Sequence, residues 1–172
     1  MSNKSAAQDG VVLFNEKLAS SPAFGSLFRE GMDLVEETAA YLDGAGRADA
    51  KTLDRSASLA YATESMRLTT RLMQLASWLL LHRAVKEGEM SLAQANREKV
   101  KVKLTAADPA ATEILARLPE RLRDLIARSM ALQTKVRRLD STIHAPAAPT
   151  VNGNPLVPQL DRLKAAFESS GR

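Results

Sequence analysis

Two histidines, His82 and His144, and one adjacent carboxylate pair, Glu36–Glu37, are the side chains best suited to metal or acid–base chemistry. Neither histidine has a Glu or His three or four residues away, the spacing that would set two ligands on one helix face. The Glu-x-x-His motif of carboxylate-bridged di-iron bundles is absent. On a helix, Glu36 and Glu37 point about 100° apart, too far to share a proton as a catalytic dyad does, and they read as a solvated face. There is no cysteine, hence no thiolate ligand, disulfide or thiol nucleophile. No phosphate-cradling glycine loop and no serine-hydrolase elbow occurs. The expectation is a protein without catalytic residues, metal or cofactor.

The next chemistry to weigh is phosphate recognition. Arg97 to Lys103 is a basic run, and Ser91-Leu-Ala-Gln-Ala opens like the first helix of a helix-turn-helix. The KVKVKL that follows lacks both the turn and an amphipathic recognition helix. Net charge is +4 and the pI about 9.6, mildly basic and insufficient alone to indicate nucleic acid. A DNA-associated regulator acting through residues 97–103 is the alternative reading, and a solvated basic segment the preferred one.

Without catalytic chemistry, the elements carry the information. Of 172 residues, 45% are hydrophobic, 26% charged and only 4% aromatic. That is a helix-former composition with room for one core. The polar start, MSNKSAAQDG, is unlike a signal peptide. The apolar run Ala76–Leu81 falls far short of the ~20 residues that span a bilayer. A cytoplasmic protein that does not enter membranes is expected, consistent with the lack of cysteine.

The organising stretch is Leu53–Arg83, free of Gly and Pro, within a long helix expected from about Asp49 to Gly88. Leu68, Leu72, Leu75 and Leu79 form one stripe at 4-3-4 spacing, and Leu59, Met66, Met73 and Leu80 a second at spacing seven. Two stripes predict burial on more than one side, as in the central rod of a bundle or a dimer, with the second stripe buried between protomers. Trp78 should be buried. Glu64, Arg67 and Arg71 read as the solvated or interhelical edge of the rod.

Before the rod, Ser21-Pro22 starts a helix, with Ser as N-cap and Pro at the first position. Its face is marked by Phe24, Leu27, Phe28, Val35, Ala39 and Leu42, and Gly44 ends it in left-handed geometry before a short turn, Gly44–Gly46. Gly31 inside this helix predicts close approach of another. After the rod, Ser91–Gln94 is a capping box opening a short helix. Lys99–Leu104 alternates like an extended segment, and Ala110–Arg117 offers one or two helical turns. From about Pro119, Leu118, Leu122, Leu125, Ser129, Leu132, Val136, Leu139 and Ile143 make a heptad seam with only Ser129 out of type. An Asp124–Arg128 pair supports it.

Residues 1–20 read as a flexible leader in which Val11, Val12, Leu13, Phe14 and Leu18 offer a short docking turn. Residues 21–144 form the helical domain. Residues 145–172 join a Pro-rich linker to an amphipathic segment, Pro158–Arg172, whose Leu160, Leu163 and Phe167 share one face, with Leu156 just ahead. An apolar face on a tether suits partner docking, and the alternative is a tail folded back on its own bundle.

The strings FREGMDLVEETAAYLDG (Phe28–Gly44) and YATESMRLTTRLMQLASWLLL (Tyr61–Leu81) resemble the RcdA (regulator of CtrA degradation) family of alphaproteobacteria. RLRDLIARSMALQTKVRRLD (Arg121–Asp140) is similar too, so that the resemblance spans about residues 22–142. It implies an all-α, three-helix antiparallel bundle with one long central helix, a homodimer and a disordered C-terminal tail. The dimer or bundle seam would comprise Leu68, Leu72, Leu75, Trp78, Leu79, Leu122, Leu125, Leu132 and Val136. It also implies a non-enzymatic adaptor that brings CtrA-like transcription factors to the ClpXP protease. A CpdR-like response regulator and a PopA-like cyclic-di-GMP effector would be partners, with transient residence at the cell pole. The tail would help engage the protease.

Overall fold

Ser21 opens the first helix as the spacing predicts. Its Oγ accepts the Phe24 N–H at 3.2 Å. Pro22 occupies the first turn, where its missing N–H costs nothing. The computed structural model describes residues 21–99 and 112–144. Among them are six helices and no strand: α1 (Pro22–Asp43), α2 (Ala45–Lys51), α3 (Arg55–Lys86), α4 (Leu92–Lys99), α5 (Thr112–Ala116) and α6 (Glu120–His144). The fold is all-α. The leader, most of Lys99–Leu104, and the tail with Leu156, Leu160, Leu163 and Phe167 lie outside the described residues.

Several expected boundaries move. Gly44 ends α1, its N–H donating to the Ala40 and Tyr41 carbonyls, but with φ −110° and ψ −108° rather than left-handed geometry. The expected turn at Gly44–Gly46 gives way to α2, which folds back tightly. A Cβ on Gly46 would lie 2.8 Å from the Tyr41 carbonyl oxygen, so only glycine fits. The long helix starts at Arg55, not Asp49. Thr52 turns the chain with its hydroxyl on the Asp49 carbonyl at 2.7 Å. Asp54 then caps the new helix by accepting the Ala57 N–H at 2.9 Å, the usual service of an aspartate at this position. The helix has 32 residues. At its ordinary rise that makes a rod of about 48 Å. The Ser91–Gln94 capping box is reciprocal: Ser91 N–H donates to Gln94 Oε1 at 2.9 Å, and Gln94 N–H to Ser91 Oγ at 3.2 Å. Two donors that would otherwise be orphaned are satisfied together.

The three long helices share one core. Phe24 packs against Trp78, with ring centroids 6.4 Å apart, and Tyr41 meets Tyr61, so α1 and α3 run antiparallel. Glu30 pairs with Lys135 and Glu37 with Arg121, so α1 and α6 are antiparallel as well. The expectation of a wholly antiparallel arrangement is corrected at the remaining pair. Arg71 bonds Ser129 and Trp78 bonds Asp140, which sets α3 and α6 in the same direction. Lys99 sits beside Asp140 at one end, and Arg117 beside Asp54 at the other, so the end of α4 and the start of α6 lie at opposite ends of the bundle. Parallel neighbours require that separation, and a short turn cannot span it.

The face of α1 is also rotated from expectation. The core takes Phe24, Leu27, Gly31, Leu34, Thr38 and Tyr41. Phe28, Val35 and Leu42 flank it, and Ala39 is exposed. Gly31 sits where a Cβ would overlap Leu79 Cδ1, the close approach its position predicts.

Candidate functional site

The charged side chains with chemical potential are absorbed into structure. His82 is buried, stacked on the Trp78 ring at 3.8 Å, with Nδ1 2.9 Å from the Trp78 carbonyl oxygen. Trp78 is itself fully buried and donates from Nε1 to Asp140 Oδ1 at 2.8 Å, as a buried indole N–H requires. Among the described residues no group of three or more His, Cys, Asp or Glu side chains could hold a metal ion. No described helix is long and apolar enough to cross a membrane.

The Glu36–Glu37 pair splits, as helix geometry requires, but only Glu36 lies on a solvated face. Glu37 reaches across to α6, where Arg121 donates to Oε1 and Arg128 donates to Oε2 at 2.7 Å. The hydrogen bond from Arg128, with the charges of Arg128 and Arg121 behind it, holds the Glu37 carboxyl below the usual carboxylate range. The Asp124–Arg128 pair forms at 3.3 Å, so Arg128 bridges Asp124 and Glu37.

The rod's charged edge divides too. Arg67 is exposed, whereas Glu64 and Arg71 are each only 5% exposed. Glu64 accepts from Arg67 Nη1 at 2.8 Å, and Arg71 donates from Nη1 to Ser129 Oγ at 2.7 Å. Burial lowers the Arg71 pKa, opposed by the nearby Glu64 charge. Ser129, the one residue out of type in the seam, is therefore the receptor for a buried guanidinium. Tyr41 donates to Asp49 Oδ2 at 2.8 Å, and burial with that bond raises its pKa above the usual phenol range.

The nine seam residues, Leu68, Leu72, Leu75, Trp78, Leu79, Leu122, Leu125, Leu132 and Val136, are all buried within the single chain. The second rod stripe is different, and the expectation that the rod is buried on two sides is corrected for the single chain. Leu59 is 70% exposed, Met66 72%, Met73 66% and Leu80 52%. The core closes on one side of the rod because α1 and α6 cover only that side, while the outer face from Leu59 to Leu80 carries a single charge, Arg67. Solvent-facing helix ordinarily carries more charge and fewer large apolar side chains than this face does.

Two grooves flank that face. One, about 260 Å³, lies between α1 and α3 and is walled by Val35, Ala39 and Leu42 on one side and Thr69, Met73 and Ala76 on the other. The other, about 300 Å³, lies between α3 and α5 and brings Leu59 and Ile114 together beside Arg67 and Arg117. Of the basic segment, Arg97 is exposed. Lys99 is engaged by Asp140, and residues 100–103 lie outside the described residues.

The family model described as "Protein of unknown function (DUF1465)" matches residues 15–167. No curated protein matches. Among solved structures, the crystal structure of RcdA from Caulobacter crescentus CB15 is similar at 50% identity with a TM-score of 0.64. The likeness covers 77% of this chain and 99% of that one. With this identity over nearly the whole of that protein, and a family match over most of its own length, the chain belongs to the RcdA family described by DUF1465.

Proposed function

We propose that this chain is a non-enzymatic adaptor in regulated proteolysis, delivering CtrA-like transcription factors to ClpXP. A CpdR-like response regulator and a PopA-like cyclic-di-GMP effector act beside it. The observation that carries this reading is the 50% identity to RcdA across 99% of that chain. What the described residues offer agrees with it: a rigid apolar core, charged groups spent on interhelical bridges, and an outer face built for contact.

The adaptor works as a homodimeric three-helix bundle (residues 21–144) with a leader (1–20) and a tail (145–172). In this reading the protomers meet at the Leu59 end of the second rod stripe, where Ile114 is also exposed. The tail brings Leu156, Leu160, Leu163 and Phe167 to a partner. A tethered second contact is intramolecular once the first is made, which raises avidity without new surface on the bundle. The protein works in the cytoplasm and transiently at the cell pole.

The test is affinity capture from native lysate with the intact chain and with residues 1–145, read by mass spectrometry. The expected result is ClpX, a CpdR-like receiver or transcription factors on the intact chain, with part of that set lost on truncation. Capture of DNA in a salt-sensitive way, without any proteolysis component, would instead assign the function to the basic segment at residues 97–103.

A further inference from the structure

Two apolar stripes left over from the core meet in the groove between α1 and α3. The core takes Leu34, Thr38 and Tyr41 from α1 and leaves Val35, Ala39 and Leu42 on the adjoining face. Across the groove, Met73 is 66% exposed. No Asp, Glu, Lys or Arg lines the groove. Thr38, on its buried side, is 3% exposed, and its Oγ1 has no hydrogen-bond partner among the described residues. Buried hydroxyls are normally satisfied. A neutral apolar trough with one unsatisfied hydroxyl suits an amphipathic segment that brings apolar anchors and a polar edge.

We infer that the occupant is the chain's own C-terminal segment, Leu156–Phe167, docked in cis. Its anchors Leu156, Leu160, Leu163 and Phe167 follow 4-3-4 spacing. On a helix opened by Pro158, Leu160 to Phe167 is a stripe of about 10 Å, with Leu156 just ahead of it. The groove is walled by residues 35 to 42 of α1 and 69 to 76 of α3. At the helical rise each wall runs about 10 Å, and exposed Met66 and Leu80 lengthen the α3 side to about 21 Å. Reach is ample. The Trp78–Asp140 bond fixes the end of α6 within a few residues of Ala76. From there, residues 145–156 can span up to about 40 Å.

Charge favours the tail as well. Glu36 is exposed on α1 beside the groove wall, where Asp43 is already paired with Arg47, and the segment carries Arg162 and Lys164 against the single Asp161. A second copy seated there would bring the same acidic edge towards itself across a two-fold axis. Gln159, next to the anchor Leu160, has both the donor and the acceptor that Thr38 lacks. The family match also runs through all four anchors and ends at residue 167. A docked tail is withheld from partners until one competes for it, a consequence that rests on the adaptor reading, whereas the docking itself does not.

The chain has no cysteine, so introduced pairs report unambiguously. In the full-length protein at low concentration, Ala39→Cys with Leu163→Cys should form an intrachain disulfide about tenfold faster than Arg137→Cys with Leu163→Cys, because docking raises the local concentration beyond tethering alone. Adding Leu160→Asp and Phe167→Asp should slow the first pair to the rate of the second. Equal rates for the two pairs, or no effect of the aspartates, overturns the proposal. So does a covalent dimer from Ala39→Cys alone, which would give the groove to a second copy. None of these outcomes depends on protease delivery, so the docking can fail while the adaptor function stands, and the reverse.

Discussion

Arg71 Nη1 and Ser129 Oγ meet at 2.7 Å inside the core, joining a buried guanidinium to the one serine of the α6 seam. The Ser129 hydroxyl in turn donates to the Ile126 carbonyl at 2.7 Å, so it accepts from one side and donates to the other. Ser129→Ala removes the acceptor and leaves Arg71 buried without it, which should cost about 1–3 kcal/mol. Arg71→Met in the Ser129→Ala background should cost far less than the sum of the single changes, because the pair is removed together. Urea unfolding of the four proteins measures the coupling, and strict additivity would show that the bond contributes nothing specific.

Gly31 is held by packing rather than by backbone conformation. Gly31→Ala gains about 1 kcal/mol of helix propensity. It also forces a Cβ onto fully buried Leu79, where overpacking costs about 1–3 kcal/mol. Net destabilisation is expected. In a Leu79→Ala background the same change should become stabilising, since the space is then open. Thermal unfolding of both pairs shows whether the sign reverses.

Glu37 makes stability depend on pH in a defined direction. Its folded pKa lies below its ordinary value of 4.5. Its contribution is therefore present above the ordinary carboxylate range and is lost as pH falls through the folded value. Glu37→Gln should destabilise by no more than about 1 kcal/mol at neutral pH, since the bridges lie at the surface. The gap between wild type and variant should close on acidification below that range and narrow in high salt. A gap that persists unchanged at low pH would mean that the amide loses packing rather than charge.

Trp78 reports on the junction of α3, α4 and α6. Its emission should be strongly blue-shifted in the folded protein and move red on unfolding, because the ring is fully buried. Asp140→Ala removes the acceptor of the indole N–H and the partner of Lys99. It should destabilise by about 1–3 kcal/mol. Denaturation followed at the Trp78 band checks both statements, and an emission maximum like that of indole in water would contradict the packing.

Local signals in the sequence translate into structure more directly than distant ones. Ser21-Pro22, the Ser91–Gln94 box and the heptad run through Leu122 and Val136 are short-range patterns, and each appears where its spacing sets it. The break before Arg55 leaves little trace in the sequence because Thr52 and Asp54 end and start helices by side-chain bonds without a Gly or Pro. Glu37 reads as solvated because its partners lie 84 and 91 residues away. The face of α1 is ambiguous because that helix carries two overlapping apolar stripes. Only packing decides that Leu34 and Tyr41 take the core while Val35 and Ala39 line a groove. The parallel setting of α3 and α6 likewise depends on where the chain goes between Lys99 and Thr112, which periodicity does not encode.

The most direct measurement of the proposed adaptor function is reconstituted degradation of a CtrA-like transcription factor by purified ClpXP with CpdR- and PopA-like proteins. The chain should accelerate substrate loss when added intact and less so as residues 1–145, with the truncated protein still melting cooperatively. A degradation rate indifferent to the intact chain, with every partner present, would contradict the adaptor function.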